Sequence, residues 1–315
     1  MKILVTGSIA FDTIMVFPDR FRNHLLADQL HILNVCFLAP EMRREYGGTA
    51  GNIGYNLRLL GESPLIMATV GEDIQPYLDR FHALGIATSL LKRVSGQFTA
   101  QAFITTDLDD NQITAFHPGA MNHSHENHVG RELQAGLAII APDGKLGMLQ
   151  HARECRQLGI PLLFDPGQGL PMFSAGELAE FLRLAHYVAV NDYEGKLLEE
   201  KTGRSLEDIA RGVKALVITL GAKGSVILAG GQRHEIPCVE ADSVADPTGC
   251  GDAYRAGLLY GIAHGWDWAT TGKLGAVMGA IKVARRGAQN HAPTRRNRDP
   301  VPPRLRLFTV EGMKP

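Results

Sequence analysis

The fold is decided by one stretch, Asp246-Pro247-Thr248-Gly249-Cys250-Gly251-Asp252, which an apolar helical pattern follows as far as Ile262. Gly249 and Gly251 carry no Cβ, so the backbone here can adopt left-handed angles and lie close to a ligand. The first amides of the helix lack intrahelical partners and the helix dipole adds positive charge, so the turn suits an anion. Asp252 has two interpretations: it is a favoured helix N-terminal residue, or a general base beside a phosphate.

The motif resembles the C-terminal signature of the ribokinase-like (PfkB) family of sugar and nucleoside kinases, which usually has a small residue such as Ala at the position of Cys250. The resemblance implies that Asp252 deprotonates the acceptor hydroxyl. It also implies an anion hole for the transferred phosphoryl group, made by the backbone amides of Gly249, Cys250 and Gly251. For the fold, it implies a three-layer α/β architecture with a mostly parallel central sheet, helices on both faces and a small β-sheet lid.

Composition excludes several other classes of protein. The 315 residues are 45% hydrophobic and 21% charged, with a net charge of −1, so overall charge favours neither a nucleic-acid nor a membrane partner. The cysteines are far apart and form no CxxC pair, which argues against a disulfide framework or a zinc site. We therefore expect a cytoplasmic protein whose partners are small molecules. The cysteines are Cys36, Cys155, Cys238 and Cys250.

A second motif lies nearer the N-terminus, where Gly47 and Gly48 precede an apolar helical pattern that ends at Gly61. Alone it is only a glycine-rich turn. Beside the C-terminal motif it resembles the family's N-terminal signature, which implies that Gly48 and Asn52 contact the acceptor. The amide of Asn52 supplies both a hydrogen-bond donor and an acceptor, which matches a diol.

Asp12 stands among apolar residues shortly after the first predicted strand, residues 2–6. A carboxylate in this position is either a strand-end turn residue or a hydrogen-bond acceptor for the hydroxyls of a polyol. The resemblance implies the second role, with Asp12 binding the hydroxyl groups of the acceptor.

Three segments, within about residues 12–17, 30–46 and 98–117, are predicted to form the lid sheet over the acceptor. Short apolar runs at 32–38 predict strands, and Leu108-Asp109-Asp110-Asn111 predicts a hairpin turn. The hairpin is either ordinary core packing or part of the lid. An apolar, aromatic lid suits a flat base better than a bare sugar, with Phe103 and Phe116 as candidates for stacking. Because exposed edge strands invite pairing, a homodimer through the lid is a further expectation.

From residue 137 onward, predicted strands alternate with helices, which indicates a parallel sheet. The strand at 187–190 is followed by Asn191 and Glu194, at the sheet edge where open α/β proteins bind ligands. The Asn-x-x-Glu pattern resembles the family motif that arranges Mg²⁺ and its waters around the phosphates, so Glu194 is expected to hold Mg²⁺ through water. Both residues could equally cap the following helix.

The strand at 215–220 ends in Gly221-Ala222-Lys223-Gly224-Ser225, which resembles the family's nucleotide-binding loop. The resemblance also implies that Asp246 and the loop at 285–290 flank a monovalent cation, K⁺, although His291 departs from the small hydroxyl residue common there. No GxxxxGK[ST] motif occurs and no GxGxxG follows the first strand, which weighs against a P-loop kinase and an NAD enzyme. The residues expected beside ATP are Asn191, Thr219, Gly221, Gly224 and Asn290.

Two other segments are predicted to carry no catalytic chemistry. The histidines between 117 and 128 lie in a polar loop without paired cysteines, which does not favour a metal site. Residues 295–315 form a basic, proline-bearing tail after the kinase domain at 1–294, and such tails are typically solvated arms rather than nucleic-acid arms.

The most specific hypothesis is an ATP-dependent kinase acting on the 5′-hydroxyl of a ribonucleoside, adenosine first. It rests on the aromatic lid and on segments that resemble prokaryotic nucleoside kinases, including 109–114, 164–168 and 287–290. A sugar kinase of the ribokinase or fructose-phosphate kinase type is the alternative on the same fold. A non-catalytic nucleoside-binding sensor is the alternative of another class, against which Asp12, Asn52, Glu194 and Asp252 all argue.

Overall fold

The computed structural model describes residues 1–25, 34–109 and 111–293, which contain thirteen strands and eight α-helices. The strands are β1 (Lys2–Thr6), β2 (Ala10–Val16), β3 (Glu41–Gly47), β4 (Leu65–Val70), β5 (Leu91–Arg93), β6 (Ala100–Thr106), β7 (Gln112–His117), β8 (Ala135–Ile140), β9 (Leu162–Phe164), β10 (Tyr187–Asn191), β11 (Ala215–Thr219), β12 (Ser225–Ala229) and β13 (Gln232–Ile236). The helices are α1 (Thr49–Leu59), α2 (Gln75–Ala83), α3 (Lys145–Gln157), α4 (Ala175–Leu184), α5 (Asp192–Thr202), α6 (Leu206–Gly212), α7 (Cys250–Ala263) and α8 (Trp268–Val283).

The central sheet has the strand order β13-β12-β11-β10-β9-β8-β1-β4-β5. Strands from β11 to β5 pair in parallel, whereas β12 and β13 are antiparallel additions at one edge. The chain leaves β1 first towards β4 and later, at β8, towards the other side. This reversal opens a crevice outside the carboxyl ends of the strands, where ligands bind in such sheets.

Helices cover both faces of this sheet and bury its strands on both sides. Ile3 and Val5 of β1 belong to one hydrophobic cluster, which includes residues of α1, α2 and α7. Leu4 belongs to a second cluster, which includes residues of α3 and α4. A continuous apolar run is what a strand covered on two faces requires. The predicted three-layer α/β fold is therefore confirmed.

The lid is a separate four-stranded sheet in the order β3-β2-β6-β7, with β3 and β7 as its edges. Strand β2 pairs antiparallel with β3 and parallel with β6, and β6 pairs antiparallel with β7. Asp107 accepts hydrogen bonds from the backbone amides of Asp109 and Asn111, which closes the predicted hairpin. Asp110 and residues 294–315, which include the predicted tail, lie outside the described residues.

The strand predicted within residues 32–38 is wrong for residues 34–38, the part of that range that the structure describes. Residues 34–40 form no strand, and β3 begins at Glu41. Residues 26–33 lie outside the described residues. The ring of Phe37 packs instead against Phe17 and Phe21, with ring centroids 4.8 and 5.0 Å apart. The apolar residue Phe37 is therefore part of an aromatic cluster and not of a strand.

None of the described helices combines the length and apolar character needed to cross a membrane.

Candidate active site

Helix α7 begins in the turn that the sequence singled out. Gly249 is its N-cap residue, with φ of 79°, and a Cβ there would lie 2.9 Å from the Cβ of Ala288. The carboxylate of Asp246 accepts hydrogen bonds from the amides of Thr248 and Gly287, each at 2.9 Å. Asp246 therefore holds the turn and ties it to the 285–290 loop.

One of the three backbone amides predicted to form the anion hole already has a hydrogen-bond partner within the protein. The amide of Cys250 donates a 3.1 Å hydrogen bond to the carbonyl of Pro247, so this conformation does not offer it to an anion. The N-cap residue, Gly249, has no side chain with which to cap the helix. Gly249 and Gly251 remain the backbone donors of the predicted set. Burial raises the pKa of the Cys250 thiol to about 11, so the thiol is protonated at neutral pH.

Asp252 lies in the first turn of α7, half-buried, and its Oδ2 accepts a 2.8 Å hydrogen bond from Nδ2 of Asn52. Burial raises the pKa of Asp252 to about 7. The hydrogen bond from Asn52 and the charge of Arg255 oppose this rise, whereas the charges of Asp165 and Asp12 add to it. A carboxyl group with a pKa near neutrality can accept and release a proton at physiological pH.

Arg255 and Asp165 form a buried ion pair next to Asp252. The guanidinium Nε and Nη2 of Arg255 donate to the two carboxylate oxygens of Asp165 at 3.0 and 3.1 Å. Nη2 also lies 3.9 Å from Oε2 of Glu194. Nη1 lies 3.5 Å from the position that a Cβ of Gly251 would occupy. One edge of the guanidinium is thus held by carboxylates, while its remaining nitrogen lies beside the turn.

A cavity of about 370 Å³ opens at the carboxyl ends of β8 to β11. It includes Asn191, Thr219 and Gly221 of the predicted ATP site. Gly224 and Asn290 do not line it. Gly224, with φ of 88°, shapes the turn before β12, and Asn290 donates a 2.7 Å hydrogen bond to Glu45 of the lid. The cavity also brings Asp165 next to two residues of α7 that are distant from it in sequence, Asp252 and Arg255.

Asn191 and Glu194 form a capping box at the start of α5, so the structural role foreseen for them is confirmed. Oε2 of Glu194 accepts from the Asn191 amide at 2.8 Å. In the described part of the chain no hydrogen bond engages Oε1, which leaves it open to a metal-bound water. Burial and the charge of Asp165 raise the pKa of Glu194.

Residues 1–25, 34–109 and 111–293 contain no cluster of three acidic, His or Cys side chains able to hold a metal ion. One carboxylate plus substrate phosphates suits Mg²⁺, which retains several waters.

Asp12 lies on β2 beside the second glycine motif. A Cβ on Gly47 would fall 2.5 Å from Oδ2 of Asp12, so the carboxylate requires glycine there. Gly48 has φ of 85° and is the N-cap of α1. Burial raises the pKa of Asp12 to about 6, and the negative charges of Glu45 and Asp246 add to the rise. The half-buried Asp12 therefore lies on the side of the lid that faces Asp246 and Asp252.

The two candidate stacking residues are on opposite faces of the lid. Asp12 pairs with Ala102, and Ala102 pairs with Phe116, so these three side chains share a face. Phe103 pairs with Thr13 and therefore points the other way. Phe11, on that second face, packs against Tyr77 of α2. The assignment of Phe103 to the acceptor site is thus corrected by strand alternation, and Phe116 remains.

The surroundings of Asp246 do not fit a bound monovalent cation. The ammonium of Lys282 lies there, 2.7 Å from the Asp246 carbonyl oxygen and 3.8 Å from Asp246 Oδ2. A second positive charge beside it would be repelled at short range. Lys282 therefore supplies a positive charge at the place where the resemblance implies K⁺.

The sequence did not predict an individual role for Asp165, Arg255, Lys282 or Gln289, although Asp165 and Gln289 lie in the segments 164–168 and 287–290 that resemble nucleoside kinases. Arg255 follows Asp252 by three residues, a spacing that puts both on one face of a helix. Asp165 follows β9 at the same sheet edge as Asn191, so the strand pattern could have indicated it. Gln289 donates to Asn52 Oδ1 at 3.0 Å across 237 residues of chain, for which the sequence holds no local signal.

Residues 15–295 match the model of the pfkB family of carbohydrate kinases. The solved structure of the Burkholderia thailandensis nucleoside kinase in complex with inosine is 54% identical in sequence, covering 94% of this chain and 95% of that one, with a TM-score of 0.85. The same kinase in complex with ADP-inosine aligns with a TM-score of 0.83 and 55% identity, over 94% of this chain and 93% of that one.

The nucleoside kinase of Methanocaldococcus jannaschii is 33% identical over 263 residues, which are 83% of this chain and 86% of that protein. Its crystal structure covers 93% of this chain and 95% of its own, with a TM-score of 0.85 and 32% identity. The family match spans most of the sequence, and the α/β fold with its separate lid sheet is the fold of the solved nucleoside kinases named above. The chain belongs to the pfkB family of carbohydrate kinases, a family of phosphotransferases that act on alcohol groups.

Proposed function

We propose that this kinase transfers the γ-phosphoryl group of ATP to the 5′-hydroxyl of a ribonucleoside, with adenosine as the first candidate and Asp252 as the general base. The observation that carries the proposal is the position of Asp252. Its carboxyl group lies in the first turn of α7, lines the cavity and has a pKa of about 7. The negative charge of Asp12 contributes to this raised pKa. An acceptor held under the lid would present its hydroxyl to Asp252, and ATP would enter from the cavity.

Asp252 removes the hydroxyl proton as the acceptor oxygen bonds to the γ-phosphorus, so the proton moves to a carboxylate oxygen. The bond from that phosphorus to the β,γ-bridging oxygen breaks, and ADP leaves with its electron pair. The amides of Gly249 and Gly251 and the free guanidinium nitrogen of Arg255 meet the negative charge on the transferred group. Mg²⁺ bound with the phosphates would neutralise further charge, with its waters held by Glu194 and Asn191. Asp12 hydrogen-bonds the hydroxyls of the acceptor and orients the attacking oxygen.

A nucleoside acceptor is supported by two features. The relative that is 54% identical over 94% of this chain was solved with inosine bound. Phe116 shares a face with Asp12 and is 52% exposed, so its ring is available to stack on a base. Adenosine, inosine and guanosine all carry the flat base that such contact requires.

A phosphosugar acceptor is the second candidate, because Arg43 also lies on the Asp12 face of the lid. Its Nε is 3.5 Å from Glu45 Oε1, so its charge is already partly compensated. This pairing favours the nucleoside over a sugar phosphate. The homodimer expected from the lid edges remains part of the proposal, and the second lid face, which exposes Met42, Phe103 and Ile113, is its apolar surface.

The test is an ADP-release assay with one ATP concentration and a panel of acceptors: adenosine, inosine, guanosine, cytidine, ribose and fructose 6-phosphate. We expect kcat/KM to be highest for a purine nucleoside, with the product identified as the 5′-monophosphate. Ribose serves as the matched control, since it offers the sugar without the base. A preference for ribose or fructose 6-phosphate over every nucleoside would overturn the assignment, and no ADP release with any acceptor would support the sensor alternative.

A further inference from the structure

Lys282 lies in the last turn of α8, and its side chain is fully buried. Its ammonium donates hydrogen bonds to the carbonyl oxygens of Asp246, at 2.7 Å, and Arg285, at 3.0 Å. The Asp246 carboxylate lies 3.8 Å away. A buried charge is tolerated only when it is paired and hydrogen-bonded, and this lysine satisfies both conditions.

The carbonyl and carboxylate that surround Lys282 belong to the segments that shape the catalytic turn. Asp246 begins the motif that ends at Asp252, and its carboxylate also accepts the amides of Thr248 and Gly287. The backbone amides of Ala245 and Asp246 donate to the Val283 carbonyl at the end of α8. One ammonium thus joins the end of α8, the 285–287 loop and the start of the turn.

The charged neighbours of this ammonium partly offset the cost of its burial. Burial is the largest effect and lowers the pKa of Lys282, whereas the charges of Asp246 and Glu45 oppose this lowering. The nearby His291 is kept neutral, because burial and the charge of Lys282 lower its pKa to about 3. The site therefore contains one cation, paired with one close carboxylate and two backbone carbonyls.

We propose that the ammonium of Lys282 takes the place of a bound monovalent cation, so that the turn at Gly249–Asp252 is organised by a charge belonging to the chain and catalysis requires no K⁺. The two backbone carbonyl oxygens, at 2.7 and 3.0 Å from the ammonium, are of the kind that a potassium ion would use as ligands. The tethered ammonium occupies the same centre and excludes a second cation by repulsion. Unlike an ion from solution, it remains in place at every salt concentration.

The first test measures kcat of the wild-type enzyme with the chlorides of K⁺, Na⁺ and tetramethylammonium at equal ionic strength, using whichever acceptor the panel identifies. We expect kcat to agree within about threefold, a barrier difference below roughly 0.7 kcal/mol. A rise of more than about threefold when K⁺ replaces tetramethylammonium would overturn the proposal. Absence of activity with every acceptor contradicts the proposed function instead, and the melting experiment below then decides this inference.

The second test removes the lysine. Lys282→Ala opens the site to solvent ions, so kcat in tetramethylammonium should fall by about tenfold or more and should recover in K⁺ or NH₄⁺. Lys273→Ala is the matched control, because Lys273 is an exposed lysine of the same helix. Equal activity of Lys282→Ala and wild type in tetramethylammonium would contradict the role of Lys282, as would a loss that neither cation reverses in a folded variant.

Thermal melting gives a readout that does not depend on turnover. K⁺ should raise the melting temperature of Lys282→Ala relative to tetramethylammonium, and should leave wild type and Lys273→Ala unchanged. If Lys282→Ala does not fold, Lys282→Met replaces it, because Met preserves most of the chain length without the charge. Selective stabilisation of the wild type by K⁺ would reveal a separate cation site there and would overturn the proposal.

Discussion

The side-chain amide of Asn52 donates a 2.8 Å hydrogen bond to Oδ2 of Asp252, joining residues 200 positions apart. The orientation of this amide is determined by Gln289, whose Nε2 donates to Asn52 Oδ1 at 3.0 Å and to the hydroxyl of Tyr77 at 2.6 Å. Asn52 and Gln289 are buried, so water does not replace these contacts. The network stabilises the ionised form of Asp252, the form that a general base requires.

Replacing Asn52 by Ala should therefore raise the pKa of Asp252 above its present value of about 7. The base works when deprotonated, so the acid limb of the kcat profile should move to higher pH. Activity at pH 7 should fall and recover partly at pH 9. Gln289→Leu should move the limb in the same direction by less, since it acts through Asn52. An acid limb that stays at the wild-type pH in Asn52→Ala would contradict this role of the hydrogen bond.

Asp252→Asn should abolish proton transfer while preserving the fold. A positioned general base contributes about 10²–10⁴-fold to rate, so kcat should fall by that factor with little change in the affinity for ATP. Nucleotide binding by calorimetry and the circular dichroism spectrum serve as controls. If the variant keeps more than about a tenth of the wild-type kcat, Asp252 is only a helix N-terminal residue.

Arg255→Met should destabilise the protein by about 3–5 kcal/mol, because Asp165 would remain buried without its partner. The double variant Arg255→Met/Asp165→Leu should regain much of this stability, since no uncompensated charge remains. We expect kcat to stay low in both, because Nη1 of Arg255 is absent from the turn. Denaturant unfolding and kcat measured on the same preparations separate the two effects. Recovery of kcat together with stability would assign Arg255 a purely structural role.

Phe116→Ala and Phe103→Ala form a matched pair on opposite faces of the lid. Loss of a base–aromatic contact costs about 1–3 kcal/mol, so Phe116→Ala should raise the KM for the nucleoside accordingly and leave the KM for ATP unchanged. Phe103→Ala should leave both values unchanged. Instead, it should weaken self-association in sedimentation experiments if the second lid face forms the dimer. The reverse pattern of KM changes would mean that the acceptor lies on the other face.

Asp143 makes stability depend on pH, because burial raises its pKa to about 8 and the hydrogen bond from the Gly144 amide only partly opposes this. Between the unfolded value of 3.8 and about 8 the folded state binds a proton that the unfolded state has released. This contribution to stability is complete below the lower value and is lost as pH rises through about 8. Asp143→Asn should therefore increase the free energy of unfolding by about 1–3 kcal/mol at pH 9 and by less at pH 5. Equal gains at both pH values would contradict the titration of Asp143.

The sequence by itself determined the fold class and the start of helix α7, because both depend on patterns within short segments. The turn before Asp252, the strand run of β1 and the Asn191–Glu194 cap are local, and local backbone chemistry is the same wherever the segment lies. The apolar residues near Phe37 were misread, since a short apolar run is compatible with a strand and with an aromatic cluster alike.

Tertiary structure alone decided which distant residues meet. Lys282 reads as an ordinary helix residue until the packing of α8 against the turn buries its ammonium among the oxygens of Asp246 and Arg285. The contact of Asn52 with Asp252 and the opposite directions of Phe103 and Phe116 likewise depend on helix packing and strand register. These features follow from the mutual placement of elements, which the free energy of the whole fold determines and no single segment encodes.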